Sequence, residues 1–376
     1  MAFERARKSV QAAQAPDLEP SLEADLGILH RQLGETAKAK AAFARCLQVS
    51  FRIGNIRETA VALDSLANAD RQAGRLWSSL SRRAKARSTF RALGDRRSEA
   101  KTWLNAAVAL AQLGRLKEAI DAYDRAESIP GGLDESDRAG LLWGRGRVEL
   151  EAGHLDVARG LLDQAKAKSS ERGDRRGEAL ALERLAELDL RAGRPSEARA
   201  GFARAAKIFH WLETPTDEAN TRVGQARAEL ALGQAAMARD HARLAIETLQ
   251  ETNDPVGVAD ALVVRARASD ALDDPSAALT DAESAVHLVD ALRGSLESPA
   301  LRSDFLATVF DPYELAIDLL IRLDEAESQP GYVERALDLV ERGRARSLLD
   351  LLAEARRSTG REPSLVRTRL AEVERQ

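Results

Sequence analysis

The 376-residue chain carries 56 Lys and Arg against 60 Asp and Glu, a formal charge of −4, and is 44% apolar but only 4% aromatic. So small a net charge excludes a global pull toward nucleic acid or an acidic surface, and the single cysteine, Cys46, excludes a disulfide framework and a cysteine-based zinc site. There is no apolar run of about 18 residues and no apolar core in the opening MAFERARKSV, so the expectation is a soluble, cytoplasmic protein.

Ala and Leu dominate and β-branched residues are sparse, which favours long amphipathic helices over sheets. In the register set out below, Phe3 falls on a large position and Ala6 on a small one. Residues 1–15 therefore read as the remnant second helix of a truncated hairpin. Such a cut apolar face is one that further chain or a partner is expected to continue.

Residues 16–293 read as seven repeats. A turn residue recurs at Gly34, Gly74, Gly114, Gly153, Gly193, Gly233 and Asp273, at intervals of 39 or 40. Seven residues before each turn stand Gly27, Ala67, Ala107, Gly146, Ala186, Ala226 and Ala266. Five after it stand Ala39, Ser79, Ala119, Ala158, Ala198, Ala238 and Ala278, and twelve after it Cys46, Ala86, Ala126, Ala165, Ala205, Ala245 and Ala285. Small columns allow two helices to approach closely, while large residues nine after the turn (Phe43, Tyr123, Leu162, Phe202) fill the flanking ridges. A second breaker divides one repeat from the next at Gly54, Gly94, Gly131–Gly132, Gly173, Thr214–Pro215 and Asp254–Pro255. Each unit is thus helix A, tight turn, helix B, longer turn.

These columns around a Gly turn resemble the tetratricopeptide (TPR) repeat, in its long variety of roughly 40 residues. The resemblance implies an all-α, right-handed α–α superhelix of about seven helical hairpins, followed by a C-terminal helical segment. It also implies a protein-interaction role, with helix A lining a concave groove that takes a protein or peptide. By that geometry the groove is lined by Asp64, Asn68, Arg71 and Gln72, then Leu104, Val108 and Gln112, then Trp143, Arg147, Glu151, Glu187, Arg191, Arg227 and Arg267. The Lys/Asn set with which TPR domains clamp a C-terminal Glu-Glu-Val-Asp carboxylate is not matched, because Asp64 stands at the positive position. Trp143 is the best single anchor, with packing between units as its alternative role.

The second repeat is unusually basic. From Arg71 to Lys101 ten cations face only Asp95 and Glu99, and Arg83 stands where other repeats place Phe, Tyr or Leu. Arg82, Arg83, Lys85 and Arg87 form a candidate patch for an anionic partner or nucleic acid, a solvated basic face being the bland alternative. Trp77 and Phe90 are the aromatics noted alongside, few for base stacking.

After Asp290 the rhythm breaks, and residues 294–358 read as a separate helical segment. Arg302, Phe305, Tyr313, Glu314, Leu319, Leu320, Glu341, Arg344, Ala345, Arg346, Leu348 and Leu349 resemble the region that joins bacterial TPR arrays to CHAT domains, caspase- and separase-like cysteine peptidases. The resemblance implies the sensor half of a TPR–CHAT protease, with the peptidase beyond this chain. A free-standing adaptor, or the sensor portion of a bacterial transcriptional regulator, is the alternative. Residues 359–376 read as a linker and the start of a truncated helix.

No catalytic constellation emerges. Cys46 occupies a column of alanines, and His30, His154, His210, His241 and His287 are scattered without metal-ligand spacing. Neither a phosphate loop nor a nucleophile elbow occurs. The expectation is no enzyme within this span, no cofactor, no metal and no membrane contact.

Overall fold

The computed structural model describes residues 18–295, 311–327 and 331–342. They form helices and turns with no strand among them, as the all-α expectation requires. The sequence expectations for residues 1–15 and 359–376 lie outside the described residues.

Contacts divide the chain into two compact units, one ending at Leu161 and the other starting at Leu162. The first contains α1 (Glu19–Gln32), α2 (Thr36–Ile53), α3 (Ile56–Gln72), α4 (Leu76–Ala92), α5 (Arg96–Gln112), α6 (Leu116–Glu127) and α7 (Glu135–Glu151). The division falls inside α8 (Leu155–Glu171). The second contains α9 (Arg175–Arg191), α10 (Pro195–Trp211), α11 (Pro215–Ala231), α12 (Ala235–Glu251), α13 (Pro255–Asp270), α14 (Pro275–Ser295), α15 (Asp311–Glu327) and α16 (332–342).

Each predicted tight turn is a left-handed residue, with φ from 61° at Asp273 to 82° at Gly153. Between repeats the left-handed residues are Gly54, Gly94, Gly131, Gly173, Glu213 and Asn253. The last two lie one residue before the Thr214–Pro215 and Asp254–Pro255 breakers. Both stand where other repeats place the left-handed glycine, immediately before the residue that opens the next helix, and proline then takes N1. There the Thr214 and Asp254 amides donate to the carbonyls of Phe209 (3.1 Å) and Leu249 (2.9 Å), closing the helix ends. Asn55, Asp95, Asp174 and Asp254 each accept an N-terminal amide of the helix they open.

The small columns form the core of both units. Ala60, Ala86 and Phe90 pack together in the first, and Ala226, Ala238, Ala245, Ile246 and Val263 in the second. Large residues nine after a turn are matched by missing side chains opposite. A Cβ at Gly27 would meet Phe43 at 2.4 Å, and one at Gly224 would meet Phe202 at 2.5 Å. Cys46 is fully buried in a column otherwise alanine, and burial pushes its thiol pKa up to about 11.

In the second unit α15 and α16 share one core with α14, built from Ala278, Ala282, Val286, Tyr313, Leu319, Leu320, Ala336 and Leu339. Three ion pairs join them to α13 and α14, each spanning 52 residues: Asp270–Arg322 at 2.8 Å, Glu283–Arg335 and Asp290–Arg342. The Tyr313 hydroxyl also donates to Asp290 at 2.5 Å.

Candidate partner-binding surfaces

The second repeat builds a polar island in the first unit. Arg83 of α4 occupies an apolar ridge position and is 0% exposed. Its guanidinium donates to Ser79 Oγ at 2.5 Å and to Asn68 Oδ1 at 2.5 Å, and its Nε lies 3.4 Å from Asp64 Oδ1. Ser79 passes its own proton to the Ala67 carbonyl at 2.7 Å. Asn105 of α5 also acts on the Asp64 carboxylate, favouring its charged form. Burial lowers the Arg83 pKa to about 10, a loss that Asp64 partly offsets and Arg71 deepens. Burial likewise raises Asp64, against the pull of Arg83, Asn105 and Arg31.

Beside this island lie the candidate groove residues of α3, α5 and α7. Asn68 and Arg71 are half-buried, and Arg71 reaches Gln112 of α5 at 3.5 Å. Leu104 and Val108 are half-buried between them along α5. Trp143 is half-buried too, with its indole nitrogen sealed from solvent and without a hydrogen-bond partner. Arg147 pairs with Glu151 one turn along α7.

In the second unit the candidates are tied up locally. Glu187 accepts from Arg184 and Arg191, both at 2.6 Å. Burial acts to raise its pKa, but the two guanidiniums outweigh it and hold it below the ordinary value. Arg227 pairs with Asp260, and Arg267 is exposed.

The four residues grouped as a basic patch do not share one surface. Arg82 donates to Asp70 at 2.7 Å, a carboxylate that Arg75 also holds. Arg83 is interior, because Ser79 and Asn68 give a buried guanidinium partners that α4's outer face lacks. Lys85 is exposed. Arg87 lies with its guanidinium carbon 3.5 Å from the centroid of Trp103 on α5, and Arg125 of α6 lies 5.0 Å from the same ring.

Sequence reasoning passed over Trp103, Asn105 and Arg125. A signal existed for the island: Ser79 and Arg83 both depart from their columns in the same repeat, as a buried charge and its acceptor must. Among the described residues no group of His, Cys, Asp and Glu is arranged to hold a metal ion, and no helix is long and apolar enough to cross a membrane.

The tetratricopeptide repeat model matches residues 24–52 and 100–130, the hairpins α1–α2 and α5–α6. No curated protein matches the chain in sequence. Among solved structures the chain is similar to a STAND signal-transduction ATPase with a tetratricopeptide repeat sensor from Pyrococcus horikoshii, at 14% identity and a TM-score of 0.62. That match covers 94% of this chain and 52% of the other, so the chain spans about half the length of that protein. It is also similar to the apo quorum sensor NprR from B. thuringiensis (14% identity, TM-score 0.58, 76% of this chain and 82% of that one). A Rap protein complexed with competence and sporulation factor matches at 12% identity and TM-score 0.56, over 87% of this chain and 99% of that one. The chain thus carries tetratricopeptide repeats in two of its hairpins and shares the fold of tetratricopeptide-type arrays over most of its length.

Proposed function

We propose that this chain is a non-catalytic interaction scaffold whose helix-A face in the first unit binds a protein or peptide partner. The observation that carries this is the bond from buried Arg83 to Asn68 Oδ1. With its oxygen occupied, the Asn68 carboxamide keeps its NH₂ group for a ligand, and half-buried Arg71 stands one turn further along. Two donors held in place beside the apolar Leu104 and Val108 suit the carbonyls or carboxylates of an extended peptide, with little ordering cost on binding.

Peptides selected from a random display library on the full chain test this reading. Asn68→Ala and Arg71→Ala are expected each to weaken the selected peptides by about 10-fold. Selected peptides indifferent to both changes, and to Trp143→Ala, would place the binding surface elsewhere.

The finer reading makes the chain the sensor half of a bacterial, cytoplasmic TPR–CHAT protease. It rests on the resemblance around residues 302–349, of which Tyr313, Glu314, Leu319, Leu320 and Glu341 lie among the described residues. The attachment of α15 and α16 to α14 supplies a physical route, since a strained repeat would move them with it. A second reading, the sensor portion of a regulator or signalling ATPase, is favoured by the likeness to the STAND protein with its repeat sensor. The sequence of the gene downstream of Gln376 separates them. A His and Cys dyad in a β-rich domain supports the protease, an ATPase or helix-turn-helix motif the regulator, and a stop codon close by the free-standing adaptor.

A further inference from the structure

We infer that Arg87 and Arg125, braced on the indole of Trp103, form a second binding site in the first unit, for a carboxylate-rich segment of a protein partner. Three consecutive helices build it: Arg87 comes from α4, Trp103 from α5 and Arg125 from α6.

The combination of residue types is unusual among the repeats. Arg87 stands thirteen after its turn, where four other repeats have Leu47, Ala206, Ile246 and Val286 and two have Glu127 and Lys166. Trp103 stands eleven before its turn, where four others have Leu63, Leu142, Leu182 and Leu262 and two have Glu23 and Arg222. A plain repeat would put a leucine against an aliphatic side chain here. This one puts two charges around an aromatic ring.

Among the described residues neither guanidinium has a hydrogen-bond or carboxylate partner, although Arg75, Arg82, Arg91, Arg97, Arg115 and Arg145 of the same unit are all paired. None of the Arg87 nitrogens is a sealed, unsatisfied atom, so its donors remain open to solvent. The charges acting on Arg87 are Arg91, Arg125 and Glu99. Glu99 is already held by Arg91 at 2.7 Å, which leaves two uncompensated cations. Burial first, and then the neighbouring guanidiniums, hold the Arg87 pKa below its ordinary value. An anion would relieve that repulsion.

The occupant follows from the ring. Two guanidiniums already stand over the Trp103 indole and engage the ring that a base would need for stacking. What remains is the edges of two planar guanidiniums, which match carboxylates bidentately. Stacking on the ring restricts both side chains before the ligand arrives, lowering the ordering cost.

The experiment uses the full chain with a fluorescein-labelled oligoglutamate peptide, read by anisotropy at low and at physiological salt. Oligolysine and single-stranded oligothymidine serve as comparison probes. Saturable, salt-weakened binding of oligoglutamate is expected, reduced by about 10-fold or more in the Arg87→Leu, Arg125→Gln double variant. Leucine stands in that column at Leu47, and apolar residues fill it at Ala206, Ile246 and Val286, so the variant is expected to melt no lower than the parent, which separates lost binding from lost folding. Asn68 and Arg71 are left unchanged, and their alanine variants should bind oligoglutamate as the parent does. No binding at low salt, binding that survives the double variant, or oligothymidine bound more tightly through the same two arginines would each overturn the assignment.

Discussion

Arg83 shows how one side chain can weaken a repeat and equip it at once. Burying a guanidinium costs several kcal/mol, and here the return is three polar contacts with Ser79, Asn68 and a carboxylate 3.4 Å away. Replacing the cation together with its carboxylate and its acceptor, Arg83→Leu with Asp64→Leu and Ser79→Ala, should therefore raise stability by roughly 1–4 kcal/mol. Arg83→Ala alone should lower it by about 3 kcal/mol, because it leaves a cavity and a buried carboxylate without its cation. Urea melts of the two variants decide this, and equal destabilisation of both would contradict it. The left-handed residues make a second residue-scale case. Glu213 holds φ 54° with a Cβ that clashes in that region, whereas Asn tolerates it. Glu213→Gly should stabilise the chain by roughly 0.5–1 kcal/mol, and Asn253→Gly by less. Thermal melts showing the reverse order would be inconsistent with strain at Glu213.

At the scale of elements, the hairpins were legible because close packing leaves its record in single columns. A helix crossing tolerates only Gly, Ala, Ser or Cys, so Ala67 and Ala86, both fully buried, could be placed before any coordinate was known. The surfaces were less legible, because a side chain's partner is set by three helices at once. Arg87 and Trp103 are sixteen residues apart and Trp103 and Arg125 twenty-two, spacings that no single-helix period connects. The left-handed residue before α11 went unmarked because Glu213 stands where the repeat before it has Gly173. Helix α9 supplies the pH-dependent case. Glu187 has a folded pKa below its unfolded value, so its ion pairs with Arg184 and Arg191 contribute stability above about pH 4.3. That contribution disappears as pH falls through the folded pKa. Glu187→Gln should be less stable than the parent at pH 7, and the two should converge in acid. A gap that widens on acidification, in melts followed by circular dichroism, would show that Glu187 is not held as an ion pair.

At the scale of the whole molecule, a repeat array is bound together only by neighbour-to-neighbour interfaces, so its stability is local. The weakest internal interface of the first unit should be the one that carries a charge in place of a hydrophobic ridge, between α3 and α4. The chain contains its own reporter of that opening. Cys46 is the single thiol, fully buried among Ala24 and Ala62, and its pKa of about 11 leaves little thiolate at neutral pH. Labelling by a thiol reagent at pH 7.5 should therefore wait for the first unit to open. Across a urea series, Cys46 is expected to become reactive before the helical signal of the whole chain reaches its midpoint. The Arg83→Leu, Asp64→Leu, Ser79→Ala variant should move the labelling transition to higher urea by more than it moves the helical midpoint, because the change strengthens one interface among many. If labelling and helix loss coincide in both proteins, the array unfolds as a single cooperative block, and the second repeat is not where it begins.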